Sequence, residues 1–172
     1  INRYPQTALR NRVVEKIAVA RNLPQANLFL GNGSDEAIDL CYRVFCRPGL
    51  DNAVMIAPSY GMYGVCAAIN DVECRKVQLN DDFSLPVKSL LAASDGNSKL
   101  LFICSPNNPT SNSFLQEDIE ALLQGFPGIV VVDEAYIDFS SRPSLIPLIE
   151  KYDRLIILQT LSKAHGMAGL RM

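Results

Sequence analysis

Three short runs constrain the fold of this chain more than anything else in it. Leu100-Leu101-Phe102-Ile103, Ile129-Val130-Val131-Val132 and Leu155-Ile156-Ile157-Leu158 are apolar at every position. A strand with one wet face alternates apolar and polar side chains. A strand apolar throughout is covered on both faces, as in parallel α/β sheets. Residues 53–57 read the same way, and shorter strands are expected at 27–30 and 71–77. Helical stretches are expected over 9–21, 35–46, 60–69, 85–93, 116–123 and 145–151. Strands alternating with helices give an α/β fold: a three-layer α/β/α sandwich around a mainly parallel sheet.

The helix over 35–46 is the clearest. Ala37, Leu40, Cys41, Val44 and Phe45 fall at helical spacing, and Ser34 stands where an N-cap is expected. Asp35 and Glu36 follow in the first turn, where carboxylates suit the dipole. In the first helix the expected stripe is Leu9, Val13, Ile17 and Ala20.

The chain has 172 residues, of which 48% are hydrophobic and 20% charged, enough for one domain with a real core. Sixteen basic against eighteen acidic residues give a net charge of −2, which provides no footprint for nucleic acid or an anionic membrane. No apolar run approaches the roughly 18–20 residues that span a bilayer. Five cysteines, none in CxxC spacing, read as reduced and mostly buried thiols of a cytoplasmic protein. The single histidine, His165, excludes a His-rich zinc site, and no metal site is expected. Ile1 and Met172 look like cut ends, so a fragment of a longer protein is expected.

Ligands of open α/β sheets bind beyond the carboxyl ends of the strands. There the sequence places Gly31 to Glu36, Pro58 to Tyr63, Ser105 to Thr110, Asp133 to Tyr136, and Gln159 to Lys163, with Arg171 eight residues past the lysine. Each segment alone also has a structural reading: turn, cap, core aromatic or surface lysine. Gly31 to Glu36 is not a dinucleotide fingerprint, because its sixth position is Glu36. Asp133-Glu134 after an apolar strand would also suit a P-loop ATPase, but GxxxxGK[ST] is absent.

Taken together and in this order, Ser-Pro-Asn-Asn-Pro-Thr (105–110), Asp-Glu-Ala-Tyr (133–136) and Thr-Leu-Ser-Lys-Ala…Gly-Leu-Arg (160–171) resemble the fold-type I pyridoxal 5'-phosphate (PLP) enzymes of the aminotransferase class I/II family. Arg3-Tyr4-Pro5, Gly33 to Glu36 and Pro58 to Tyr63 are most similar to its histidinol-phosphate aminotransferase branch. The resemblance runs from Arg3 to Arg171. It implies that residues 1–172 are the PLP-binding large domain, without the N-terminal arm and small C-terminal domain.

The resemblance also implies the roles. Lys163 holds the cofactor covalently and moves the substrate's proton, with Asp133 and Tyr136 as its catalytic partners. Asp133 pairs with the pyridinium nitrogen, Asn108 and Tyr136 bond the ring 3′-oxygen, and Tyr60 stacks on the ring. Ser34 and Asp35 backbone groups, Thr160 or Ser162, and Arg171 hold the phosphate. Tyr4 reaches the cofactor of a partner subunit, which implies a homodimer. The implied reaction passes an amino group from a small-molecule donor, histidinol phosphate, to a 2-oxo acid, in histidine biosynthesis in the cytoplasm. The residue chemistry agrees, since a buried carboxylate beside a fixed cation keeps its charge and arginine forks around phosphate. Two positions depart from the pattern. Ser111 stands where a glycine is usual, so the turn there is expected to differ, and His165 replaces an aromatic. The alternatives are a threonine-phosphate decarboxylase, an aromatic aminotransferase, or a non-catalytic module on the same fold.

Overall fold

Five strands form one sheet in the order β2-β1-β3-β4-β5, and every neighbouring pair is parallel. They are β1 (Asn52–Ala57), β2 (Glu73–Gln78), β3 (Ser98–Cys104), β4 (Ile129–Asp133) and β5 (Leu155–Leu158). The computed structural model describes residues 7–170. These fall into two units, 1–31 and 32–172, each taken by itself.

In the first unit, helix α1 (Thr7–Arg21) buries Val14 and Ala18, while Leu9 and Ala20 of the expected stripe are exposed. No strand forms at 27–30. Gln25–Asn27 is instead a 3-10 turn after Pro24, and Phe29 is exposed. A short extended run becomes a strand only where a neighbour completes its ladder, which its composition alone does not report.

In the second unit, α2 (Ser34–Phe45) precedes β1, and α3 (Met62–Ile69), α4 (Val87–Ala92) and α5 (Gln116–Gly125) connect successive strands from β1 to β4. The pleat divides the core in two. Val54, Ile56, Leu101, Ile103, Val130 and Val132 face Leu90 of α4 and Ile119, Leu122 and Leu123 of α5. Ala53, Met55, Leu100, Phe102 and Val131 face Ile38, Cys41 and Tyr42 of α2 and Tyr63, Cys66 and Ala67 of α3. The sheet is therefore the middle of three layers, as the apolar runs require. β2 at the edge is polar and partly exposed.

Local details correct three expectations. The N-cap of α2 is Gly33, with φ 82° and ψ 172°, and Ser34 is the first helical residue. Glycine tolerates that backbone, and Glu36 reaches back to the turn before the helix, accepting the Asn32 backbone N–H at 2.6 Å and its Nδ2 at 2.9 Å. The buried face of α2 is Ile38, Cys41 and Tyr42, while Val44 and Phe45 point outward. Tyr42 can be fully buried because its hydroxyl donates to the Tyr63 carbonyl at 3.0 Å. The helix expected over 145–151 is a 3-10 segment, Ile146–Glu150, with Pro147 in its first turn. All five cysteines are free thiols and four are buried. Among the described residues no helix is long and apolar enough to cross a membrane.

Candidate active site

Because the strands are parallel, β1, β3, β4 and β5 all end at one edge of the sheet. A cleft there is lined by Ser34, Asp35, Tyr60, Cys104, Asn108, Asp133, Ala135, Tyr136, Thr160, Ser162 and Lys163. Nine of these eleven are residues the sequence singles out, and they come from five separate segments. The remaining two expected site residues, Tyr4 and Arg171, lie outside the described residues.

Asp133 is the last residue of β4, in register with Cys104 of β3 and Leu158 of β5, and is 2% exposed. Its Oδ2 accepts the Tyr63 hydroxyl at 2.7 Å and its Oδ1 the Ala135 backbone N–H at 3.0 Å. Burial pushes its carboxyl above the usual range, while these two donors pull it back. The Cys104 thiol is pushed up to about 12, first by burial and then by Asp133, so it stays neutral.

On one side of the cleft, α2 presents its first turn with Ser34 and Asp35. The Tyr60 hydroxyl donates to Asp35 Oδ1 at 3.0 Å and is itself pushed up to about 12, mainly by burial. On the other side, the segment after β5 brings Thr160, Ser162 and Lys163. The Thr160 hydroxyl donates to Ser162 Oγ at 3.0 Å and accepts the Ser162 backbone N–H at 3.2 Å. Lys163 Nζ lies 5.4 Å from the centre of the Tyr136 ring, a cation–π arrangement.

Neighbouring residues fix these elements. Asn107 is buried and shapes the turn: its Nδ2 donates to the Pro58 carbonyl and Thr110 Oγ1, and its Oδ1 accepts from Ser59. That leaves Asn108 to face the cleft. Ser111 has a left-handed backbone, with φ 62°, a conformation that glycine adopts readily. His165 stands outside the cleft lining, with Nδ1 3.8 Å from Asp138 Oδ2. A cavity of about 490 Å³ shares Asn108 and Tyr136 with the cleft and continues past Ser113, Phe139 and Arg142. The sequence reading assigned no site role to three contributors: Tyr63, for which a core aromatic was one of the readings; Cys104, read with the mostly buried thiols; and Glu134. A buried carboxylate needs donors, and a tyrosine three residues after Tyr60 was the available signal for one of them.

The donor set suits a flat, zwitterionic phosphorylated ring. It offers a buried carboxylate for a cationic nitrogen, an amide and a phenol for an oxygen, and an aromatic for the ring face. Hydroxyls at a helix N-terminus suit a dianion, and an amine can bond a carbonyl. Among the described residues there is no acidic, histidine or cysteine group suited to a metal.

Comparison with known proteins gives consistent results. The pattern of the family "Aminotransferase class I and II" matches residues 1–172. The histidinol-phosphate aminotransferase of Bacteroides fragilis is 53% identical over 171 residues, covering 99% of this chain and 49% of that protein. That of Flavobacterium johnsoniae is 51% identical over 172 residues, covering 100% and 49%. The chain thus spans about half the length of the curated relatives it matches. Among solved structures, the histidinol-phosphate aminotransferase of Clostridium acetobutylicum superposes with a TM-score of 0.85 at 26% identity, over 99% of this chain and 50% of that one. The Sinorhizobium meliloti enzyme, solved in complex with pyridoxal 5'-phosphate, gives 0.83 at 25% identity, over 94% and 45%.

Proposed function

Because this chain belongs to the class I and class II aminotransferase family, we propose that it is the cofactor-binding large domain of a PLP-dependent histidinol-phosphate aminotransferase. The observation that carries the reading is the convergence of Asp133, Asn108, Tyr136 and Lys163, from three strand ends, in one cleft. The names of the curated relatives support the choice of donor.

When bound, PLP supplies an electron sink for the negative charge that develops at the substrate's α-carbon. The residues of this chain do the rest. The Asp133 carboxylate keeps the ring nitrogen protonated, since opposite charges favour both ionised forms. Asn108 and Tyr136 donate to the ring oxygen, and Tyr60 covers the ring face. Backbone N–H groups of Ser34 and Asp35, the hydroxyls of Thr160 and Ser162, and Arg171 hold the phosphate. Lys163 would hold the cofactor covalently between turnovers; once the donor's amine takes its place, the free Lys163 amine would accept the α-proton and return it on the cofactor side. A 2-oxo acid, 2-oxoglutarate, runs the same proton path in reverse. Tyr4 completes the neighbouring site of a homodimer, and the pathway is cytoplasmic histidine biosynthesis.

The test uses the full-length protein. It is loaded with PLP, reduced with borohydride and digested, and the modified peptide is identified by mass. A phosphopyridoxyl group on Lys163, with glutamate formed from histidinol phosphate and 2-oxoglutarate, is the expected result. Carbon dioxide from O-phosphothreonine, with no glutamate from histidinol phosphate, would indicate a decarboxylase. No adduct in the folded protein would remove the enzyme reading.

A further inference from the structure

Asp133 sits where an ionised carboxylate is hardest to keep. It is 2% exposed, and the groups facing it are mostly neutral or negative. Tyr63 approaches from α3, Cys104 from β3, Asp35 from α2, and Glu134 follows on its own strand; Tyr60, Tyr136 and Lys163 share the cleft. Burial favours the neutral acid, and Asp35 and Glu134 push in the same direction. Two donors oppose this: the Ala135 N–H, which comes with the backbone, and the Tyr63 hydroxyl.

Tyr63 is held in place to do this. It is fully buried. Its ring stacks on Phe102 at 4.9 Å between centres and 16° between planes, and Phe102 stacks on Tyr42 at 5.3 Å. Tyr42 closes the circuit by donating its hydroxyl to the Tyr63 carbonyl. Tyr60 packs edge-on at 5.7 Å. This packing holds the ring so that its hydroxyl meets Asp133 Oδ2 at 2.7 Å, with the Cys104 thiol as its other side-chain neighbour. Its own ionisation lies well above the ordinary tyrosine range, because of burial and then Asp133, so it acts as a donor across the working pH range.

We propose that Tyr63 is a positioning residue for Asp133: its clamped hydroxyl fixes the direction of the buried carboxylate and holds it ionised for a cationic ring nitrogen. The cofactor part of this inference rests on the function proposed above; the hold on Asp133 does not.

The test compares full-length wild type with Tyr63→Phe, which keeps the stack and removes one oxygen. The Asp133 carboxyl is followed by carbon-13 NMR in the cofactor-free protein and identified by its loss in Asp133→Asn. The expected result is a midpoint about one pH unit higher in Tyr63→Phe, the size of one charge-assisted hydrogen bond. A site-specific 3-fluorotyrosine at position 63, a stronger donor, moves it the other way. In the loaded enzyme, affinity for PLP falls about tenfold in Tyr63→Phe, and the pH midpoint of the bound cofactor's absorbance shifts. An unchanged Asp133 midpoint overturns the proposal, even if the variant melts at a lower temperature, because a merely structural tyrosine would affect melting alone. A wild-type protein that takes up no PLP overturns the functional reading instead. The NMR midpoints still decide whether Tyr63 holds Asp133.

Discussion

Replacing Glu134 with alanine would loosen the scaffold beneath the cleft, and the cost can be worked from its contacts. Glu134 is 1% exposed, and its carboxylate accepts three hydrogen bonds: the Leu145 N–H at 2.7 Å, the Ser144 hydroxyl at 2.6 Å and Gln159 Nε2 at 2.8 Å. It thereby ties the end of β4 to the 144–145 segment and to the residue that precedes Thr160. Leu145 is buried, so its N–H would be left without a partner, at about 1–3 kcal/mol. Ser144 and Gln159 are half-buried and can turn toward water, so each loses about 0.5–1 kcal/mol. The expected loss is about 3 kcal/mol, a large part of the roughly 5–15 kcal/mol that stabilises a typical protein. Urea unfolding of cofactor-free full-length protein, followed by circular dichroism, measures it as a lower midpoint at unchanged slope. A loss under about 1 kcal/mol would refute the reasoning, because it would mean that none of the three donors depends on this carboxylate.

Other perturbations have definite outcomes. Lys163→Ala abolishes amino transfer in the full-length enzyme while circular dichroism stays native; retained turnover would remove the lysine from the mechanism. Ser111→Gly relieves a left-handed backbone at φ 62° and raises stability by up to about 1 kcal/mol, read as a higher melting temperature. Gly128→Ala places a Cβ 2.4 Å from the Lys99 carbonyl oxygen, a backbone atom that cannot step aside, so unfolding shifts to lower urea. Hydrogen bonds from Arg47 hold Asp51 at about 2, and bonds from Asn52 and Arg75 do the same for Asp95. A carboxylate with a depressed folded value stabilises above its unfolded value and loses that contribution as pH falls. Acid titration of stability should therefore decline between about pH 4 and 2, less steeply in Asp51→Asn.

The strands were legible because burial on both faces leaves an unbroken apolar run, and Leu100 to Ile103 and Ile129 to Val132 allow no other reading. The cleft was legible for the same reason: a parallel sheet sends its carboxyl ends to one edge, so the polar residues after each strand had to meet. What escaped depends on pairing in space. The segment at 27–30 has strand composition but no ladder, and Gln25–Asn27 is a 3-10 turn. In α2, stripes offset by one position fit the sequence almost equally well. The choice of Ile38 and Tyr42 over Val44 and Phe45 was made by Phe102 and the Tyr63 carbonyl, which are distant in sequence. Gly33 rather than Ser34 is the cap, at a φ of 82° that glycine adopts readily. The tyrosine on Asp133 was hidden because an aromatic at helical spacing looks like core, and Tyr63 is core in all but its last atom.

The pair at the end of β4 shows how one strand serves both chemistry and scaffold. Side chains alternate along a strand, so Asp133 continues the face of Val131, and Glu134 that of Val130 and Val132. Val131 belongs to the layer with Ile38, Tyr42 and Tyr63, which is the side from which Asp133 receives its hydroxyl. Val130 and Val132 belong to the layer with Leu145 and Leu155, which is the side from which Glu134 receives the Leu145 N–H. Two adjacent acids, alike in sequence, are thus committed to opposite layers by parity alone. One keeps lone pairs free toward the cleft, while the other spends its own on the loop and on Gln159. A slip of one residue in the β3–β4 register, now Cys104 beside Asp133, would exchange them and put the tether where the cleft-facing carboxylate stands. The apolar run of β4 therefore does more than fill the core: by fixing register, it decides which of the two carboxylates faces the cleft.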